Sequence, residues 1–172
     1  MPSKIIARAL AVAALACTAP VIAQQPNPLD AIPEKVPFNV PYGAPITLDK
    51  ADAVLAAAVA EAKAKGWPLV CAVVDSGADL VSFKRMDGAQ LGSIEISQAK
   101  ANAAVKLRRE TKVLEGAIQG GFAYLATLPG VVASRGGIPL VEGGRIIGAI
   151  GCSGGTGSQD EVVCKAGADA VK

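Results

Sequence analysis

The chain contains no histidine at all. That absence removes the commonest general base and the commonest metal ligand together, so Ser-His-Asp and Cys-His mechanisms are excluded within one chain. A zinc site on the familiar His and paired-Cys spacings is excluded with them, and no metal site is expected. Aromatic residues are nearly as scarce: three Phe, two Tyr and one Trp in 172 residues. A core without them is assembled from Ala, Val, Ile, Leu and Gly, whose small side chains let backbones approach closely. A long apolar run is missing too, because Ala9–Cys17 is too short, and too soon followed by Pro20, to span a membrane.

That short run has another reading. Lys4 and Arg8 precede it and Thr18-Ala-Pro-Val-Ile-Ala23 follows, the charged start, apolar middle and small-residue exit of a secretory signal peptide. Residues 1–23 are therefore expected to be cut off after Ala23, which places the mature chain in the periplasm or outside the cell. A lipid anchor on Cys17 is the alternative, although Ala14 stands where a larger aliphatic is usual. Cleavage leaves 149 of the 172 residues, the size of one domain. It also takes two of the 17 basic residues and none of the 15 acids, so the mature chain is neutral. Nucleic acid and anionic membrane surfaces are excluded as partners on that ground. Three cysteines remain, Cys71, Cys152 and Cys164, an odd number that leaves at least one thiol free or paired between chains. Cys71 lies in the apolar run Leu69–Val74 and reads as a small buried hydrophobe, whereas a Cys152–Cys164 bridge would suit an oxidising compartment.

Residues 24–45 hold six prolines and no periodic apolar face, which predicts an extended leader lying across the domain or across a neighbouring subunit. From Thr47, a plausible N-cap, Leu48, Ala51, Leu55, Ala58, Val59 and Ala62 fall at helical spacing, with Gly66 as the stop. Leu69–Val74 and Leu80–Lys84 predict a hairpin around Asp75–Asp79. A second helix is expected over Ile94–Arg109, with Ile96, Ala99, Ala103 and Leu107 as a narrow ridge pressed on a sheet. A glycine-interrupted helical region follows through Leu128. Three more strands are expected, Val131–Ser134, Ile138–Val141 and Arg145–Ile150, then a final helix with Ser158 to Glu161 as its capping box. Strands joined by tight turns are antiparallel, so the pattern predicts an α+β fold with a five-stranded antiparallel sheet flanked by helices.

Two places could carry chemistry. Gly151–Ser158 joins a strand to a helix N-terminus, where free backbone N–H groups and the helix dipole favour an anion or a carbonyl oxygen. It lacks the Gly-Lys-Ser/Thr ending of a nucleotide loop and the dinucleotide-binding glycine spacing, and Asp160 and Glu161 already stand in that field. The plain alternative is a tight strand-to-helix turn. The second place is the set Asp75, Arg85, Asp87 and Lys100. There Asp75 can make an Asx turn, Arg85 can pair with Asp87 on the surface, and Lys100 either snorkels to solvent or reaches a cavity as a charged anchor.

Taken in order, Val73-Val-Asp-Ser-Gly77, Arg85-Met-Asp-Gly88, Lys100-Ala-Asn-Ala-Ala104, Gly136 through Gly155 and Gln159-Asp-Glu161 resemble the GlcG/HbpS family. That family is associated with haem binding and is related to the C-terminal domain of PduO-type cobalamin adenosyltransferases. The resemblance covers residues 46–172. It implies a profilin-like three-layer α/β/α fold, homo-oligomers, and haem or a related tetrapyrrole as ligand. It carries Asp75, Arg85, Lys100, Ser153, Gly154, Gly155 and Asp160 forward as site residues. Where many members begin a helix Lys-Ala-Tyr-Thr-Ala, this chain reads Lys100-Ala-Asn-Ala-Ala104.

If haem binds, iron can meet only Cys, Met86, Tyr, Lys or a weak oxygen ligand, and the propionates would pair with Arg or Lys. Three functions follow as expectations. The first is a periplasmic binding or sensing protein for a small ligand such as haem, with Arg85, Asp87, Lys100, Ser153, Gly154 and Gly155 as binding residues. The second is an enzyme acting on a small carbonyl or carboxylate compound, with Asp75 or Asp160 as acid/base and the loop amides stabilising charge. The third is an accessory protein without a ligand.

Overall fold

The computed structural model describes residues 34–36 and 38–171, and the fold is that of the unit Val36–Lys172. The expected signal peptide, Cys17 and the first part of the leader lie outside the described residues. Helix α1 (Leu48–Lys65) starts where Thr47 Oγ1 accepts from Lys50 N at 3.4 Å and stops at Gly66, whose φ of 68° only glycine takes without cost. Strands β1 (Val70–Asp75) and β2 (Leu80–Arg85) form the expected hairpin. Helix α2 (Ser93–Leu107), helix α3 (Thr111–Gln119) and a 3-10 turn (Ala123–Thr127) follow. Strands β3 (Gly137–Glu142) and β4 (Arg145–Ser153), helix α4 (Gly157–Ala168) and a last 3-10 turn (Asp169–Val171) complete the unit.

Among the described residues the sheet has four strands, not five, in the order β2-β1-β4-β3, and every neighbouring pair is antiparallel. The missing fifth is Val131–Ser134. It follows Pro129-Gly130 and ends at Gly136 with φ 107°, so the chain turns too soon on both sides to align with β3, and it runs as irregular backbone.

The sheet separates two apolar clusters. On one face α1 and α4 cover Cys71, Val73, Ile150 and Cys152. On the other α2 covers Val74, Ile146 and Ala149 through Ala101, Ala104 and Val105. The contacting face of α2 differs from the expected ridge. Ser93, Ser97, Lys100, Ala101, Ala104 and Val105 are buried together with Ala103 of the expected ridge, whereas Ile96 is 41% exposed. Glycine decides this rotation. A Cβ on Gly151 would fall on the Ser97 carbonyl and 2.5 Å from Ala101 N, and one on Gly137 would fall on the Lys100 carbonyl. The helix settles where β3 and β4 have no side chains to hold it off, and Ser97 spends its hydroxyl on Ile94 O at 3.1 Å.

Three smaller expectations change as well. Helix α4 is capped two residues earlier than expected, by Thr156 and Gln159 in a reciprocal box, with Gln159 N to Thr156 Oγ1 at 3.3 Å and Thr156 N to Gln159 Oε1 at 2.8 Å. Cys71, Cys152 and Cys164 are all free thiols in the α1/α4 core, so no Cys152–Cys164 bridge forms. Burial pushes the Cys152 and Cys164 thiols up, and Cys71 is raised first by its hydrogen bond with Cys152, so none is a ready thiolate.

The described part of the leader lies across its own domain. Pro41 O accepts from Ile146 N at 2.9 Å and Gly43 N donates to Ile146 O at 2.8 Å, beyond the point where β1 has ended against β4. Tyr42 Oη donates to Val105 O at 3.0 Å, with Arg108 over its ring, and Arg109 stacks on Phe38.

The close helix-to-sheet contact yields a stability test. Gly151→Ala should cost at least about 2 kcal/mol in urea unfolding by overpacking α2 against β4. Gly92→Ala, with nothing within 4 Å of the added methyl, should stay within about 0.5 kcal/mol of the parent.

Candidate functional site

The strand order brings Lys100 on α2 and Asp160 on α4 to the same end of β4. Lys100 Nζ donates to Asp160 Oδ2 at 2.8 Å and to Cys152 O at 3.2 Å, and the two side chains are 1% and 4% exposed. Two charges taken this far from water persist only when each remaining polar atom is answered. Here Gly155 N donates to Asp160 Oδ1 at 3.0 Å. Burial raises the Asp160 pKa, and Lys100 and the Gly155 and Gly154 amides oppose that rise. The pocket around the pair is sealed by glycine: at Gly136, φ 107°, a Cβ would come within 2.8 Å of Asp160 Cβ and 3.2 Å of Lys100 Nζ.

Of the two courses open to Lys100, the structure takes the buried anchor. The loop amides meet an internal carboxylate in place of a ligand. Ser153 Oγ donates to Ser93 Oγ at 3.1 Å, and Gly154, φ 145°, lies against the backbone of Pro68 and Leu69. Lys100, Ser153, Gly154, Gly155 and Asp160 are thus brought together, in a packed junction.

Asp75 stands apart from them. It pairs with Gly148 whereas Val70 pairs with Ser153, so Asp75 sits five residues along the strand, about 17 Å from the junction. Its Oδ1 accepts from Gly77 N at 2.8 Å and Asp79 N at 3.0 Å, the expected Asx turn.

Arg85 and Asp87 lie at the junction's end of the sheet but outside it. Together with Lys84, Met86, and Val59 and Lys63 of α1 they line an open pocket of about 340 Å³. Lys84 pairs across the strands with Cys71, whose side chain is in the α1/α4 core, so Lys84 points toward α1 and meets Lys63 there. Among the described residues none of Lys63, Lys84, Arg85 or Asp87 forms an ion pair, so Arg85 does not pair with Asp87 on the surface. Three free cations and one acid therefore surround an apolar floor of Val59 and Met86. Sequence reading missed Lys63, Lys84 and Val59. The helical step from Val59 to Lys63 was visible, but its meeting with β2 was not.

A pocket of about 230 Å³ on the far edge of the sheet, lined by Glu110, Glu161 and Asp169 with Lys165, has the opposite balance of charge. Beside it Arg135 ties three elements, with its N and Nε donating to Glu115 Oε2 at 2.8 and 3.0 Å and its Nη1 to Glu161 at 3.4 Å. Those hydrogen bonds hold the Glu115 carboxyl below its ordinary range.

Comparison with known proteins places these features in a wider group. A family model described as "Haem degrading protein HbpS-like" matches residues 46–169. Protein GlcG of Escherichia coli K12 is 42% identical over 103 residues, 60% of this chain and 77% of that one. The solved PduOC:heme complex shares 28% identity and a TM-score of 0.68, covering 75% of this chain and 96% of that one. A double mutant of HbpS from Streptomyces reticuli shares 28% identity and a TM-score of 0.70, covering 83% and 98%.

Two measurements test the junction and its flank. In urea unfolding Lys100→Met and Asp160→Asn should each lose about 3–5 kcal/mol, and the double change Lys100→Met/Asp160→Leu should lose clearly less than their sum. For Glu115 the folded pKa is depressed, so its contribution is complete above the ordinary value of 4.5 and is lost as pH falls through the lowered one. Glu115→Gln should remove about 1 kcal/mol at neutral pH and flatten that acid-side loss in a stability-against-pH series.

Proposed function

Because the chain belongs to the HbpS-like family, we propose that it is an exported binding or sensing protein for haem or another tetrapyrrole, held in the cationic pocket between α1 and β2. The observation that carries this is the convergence of Lys63, Lys84 and Arg85, none of which forms an ion pair among the described residues, over Val59 and Met86. Haem is a flat apolar disc with two carboxylates on one edge. Those carboxylates suit the three cations, and a macrocycle face suits the apolar floor. Lys84 and Arg85 would hold its propionates, and Val59 and Met86 would lie against its face. Bound there, haem supplies an iron centre for one-electron and O₂ chemistry.

Exposed ion pairs contribute only about 0–1 kcal/mol each, so most of the affinity must come from apolar burial. The PduOC:heme complex, a relative solved with this ligand, supports the same ligand class here. The cationic pocket also favours an anionic ligand over the acidic hollow beside β3. The enzyme alternative gains no comparable support. Asp160 is sealed against Lys100, and Asp75 Oδ1 is already committed to two backbone amides. The proposal includes location in the periplasm or outside the cell, and assembly into homo-oligomers.

Haemin titration of the purified full chain tests the assignment. The parent protein should shift the Soret band and retain haem on a desalting column. Lys84→Glu/Arg85→Glu should bind at least about tenfold more weakly, and Asp75→Asn should bind as the parent does. A parent protein that produces no Soret shift and retains no haem would rule the ligand out.

A further inference from the structure

From Gly116 to Ser134 the chain carries no charged residue, and no other uncharged stretch in the unit Val36–Lys172 is as long. Both ends of this segment are pinned to the domain. Gly137 N donates to Thr111 Oγ1 at 2.9 Å, and Arg135 holds Glu115 through its N and Nε at 2.8 and 3.0 Å. Between those pins the chain leaves the core. Leu114 is the last buried residue before the segment and Gly136 the first after it, so none of residues 115–135 is buried. Helix α3 buries only Thr111 and Leu114, and the 3-10 turn that follows packs on α3 rather than on the sheet.

An excursion that served only to be solvated would be polar, and this one is apolar. Ile118, Phe122, Tyr124, Leu125, Leu128 and Val131 all lie in it, and Tyr124 is 50% and Leu128 45% exposed. Phe122 and Tyr124 stand in tilted contact, with ring centroids 6.4 Å apart. In a chain so poor in aromatics, two of them are left at the surface side by side. A contiguous apolar patch with aromatic residues marks a surface that another molecule covers.

Charge and size narrow what that molecule is. An anionic membrane is drawn by free cations, but the cations flanking the segment are committed, Lys112 to Glu161 and Arg135 to Glu115 and Glu161. A charged protein partner is recognised by complementary charge, which the segment does not carry. A second copy of the same segment meets neither objection. Across a two-fold axis uncharged surface faces uncharged surface, so no ionic group is desolvated and no like charges meet. Residues 113–135 also come to about the 20–30 residues a side that a standard interface takes.

We infer that the excursion between α3 and β3 is the contact through which two copies of this chain associate about a two-fold axis, with Phe122, Tyr124 and Leu128 at its centre. This rests on the homo-oligomer of the proposed function and is independent of the ligand and of the pocket between α1 and β2.

Sedimentation velocity of the purified full chain tests it, with Tyr124→Glu/Leu128→Glu and Leu91→Glu alongside, Leu91 being 72% exposed just before α2. The parent should sediment as a dimer or an even multiple of one. Tyr124→Glu/Leu128→Glu should keep the parent's circular dichroism and assemble at least about tenfold more weakly, whereas Leu91→Glu should assemble as the parent does. Amide hydrogen exchange over residues 116–134 of the parent should slow as its concentration rises through assembly, a readout that needs no variant. A parent that assembles without slowing that exchange, or a double variant that assembles as tightly as the parent, would overturn this contact and leave the homo-oligomer standing. Dissociation by Leu91→Glu alone would move the contact to α2. A monomeric parent would overturn the oligomer and the contact together, and one that also co-sediments with phosphatidylserine vesicles would assign the segment to a membrane surface instead.

Discussion

The buried pair of Lys100 and Asp160 is the contact around which the domain closes. It joins α2, on one face of the sheet, to α4, which packs on the other, through the end of β4 that lies between them. The cost of desolvating both charges is met by their mutual attraction together with Cys152 O and the Gly155 amide, so each of these groups must be in place for the others to be tolerated. That requirement fixes the course of the glycine loop and positions the start of α4. A loop whose composition suggests an anion cradle is, in the fold, the cradle of the protein's own carboxylate.

The rest of the architecture depends on how closely backbones approach in a chain with so few large side chains. Gly137 and Gly151 bring β3 and β4 under α2, and Gly167 brings α4 against α1, where a Cβ would lie 2.9 Å from Val54 O. The order of elements follows from local signals such as the Thr47 and Gly66 caps, but the layering follows from these approaches. The leader contributes in the same way, with Phe38 and Tyr42 supplying aromatic area that the core lacks, clamped by Arg109 and Arg108 at the end of α2.

Closing one corner with an ion pair occupies the glycine loop with the protein's own carboxylate. At the neighbouring edge of the sheet, among the described residues, β2 is bordered only by β1 and an open pocket lies between it and α1. Among the described residues Lys63, Lys84 and Arg85 form no ion pair, and the excess of positive charge there over the single acid Asp87 is suited to an anionic ligand. The similarity to the PduOC:heme complex and to HbpS agrees with the proposed ligand class, and a chain without histidine would have to meet such a ligand with other donors.

Local patterns were enough to read the caps of α1, the β1–β2 hairpin, the Asx turn at Asp75 and the burial of Cys71, because each depends on neighbours a few residues away. They were also enough, through motifs in a fixed order, to indicate the family. They could not show that Val131–Ser134 finds no partner strand, that α2 rotates onto Ser97 and Ala101, or that Thr156 and not Ser158 caps α4, since each outcome depends on what another element places opposite. The same holds for the site. By itself the sequence determined which side chains are available and that histidine is not among them. Only the tertiary structure decided that Lys100 is spent on a carboxylate 60 residues away while, among the described residues, Lys63 and Lys84 form no ion pair, because whether a charge is neutralised depends on distance in space, which chain order does not specify.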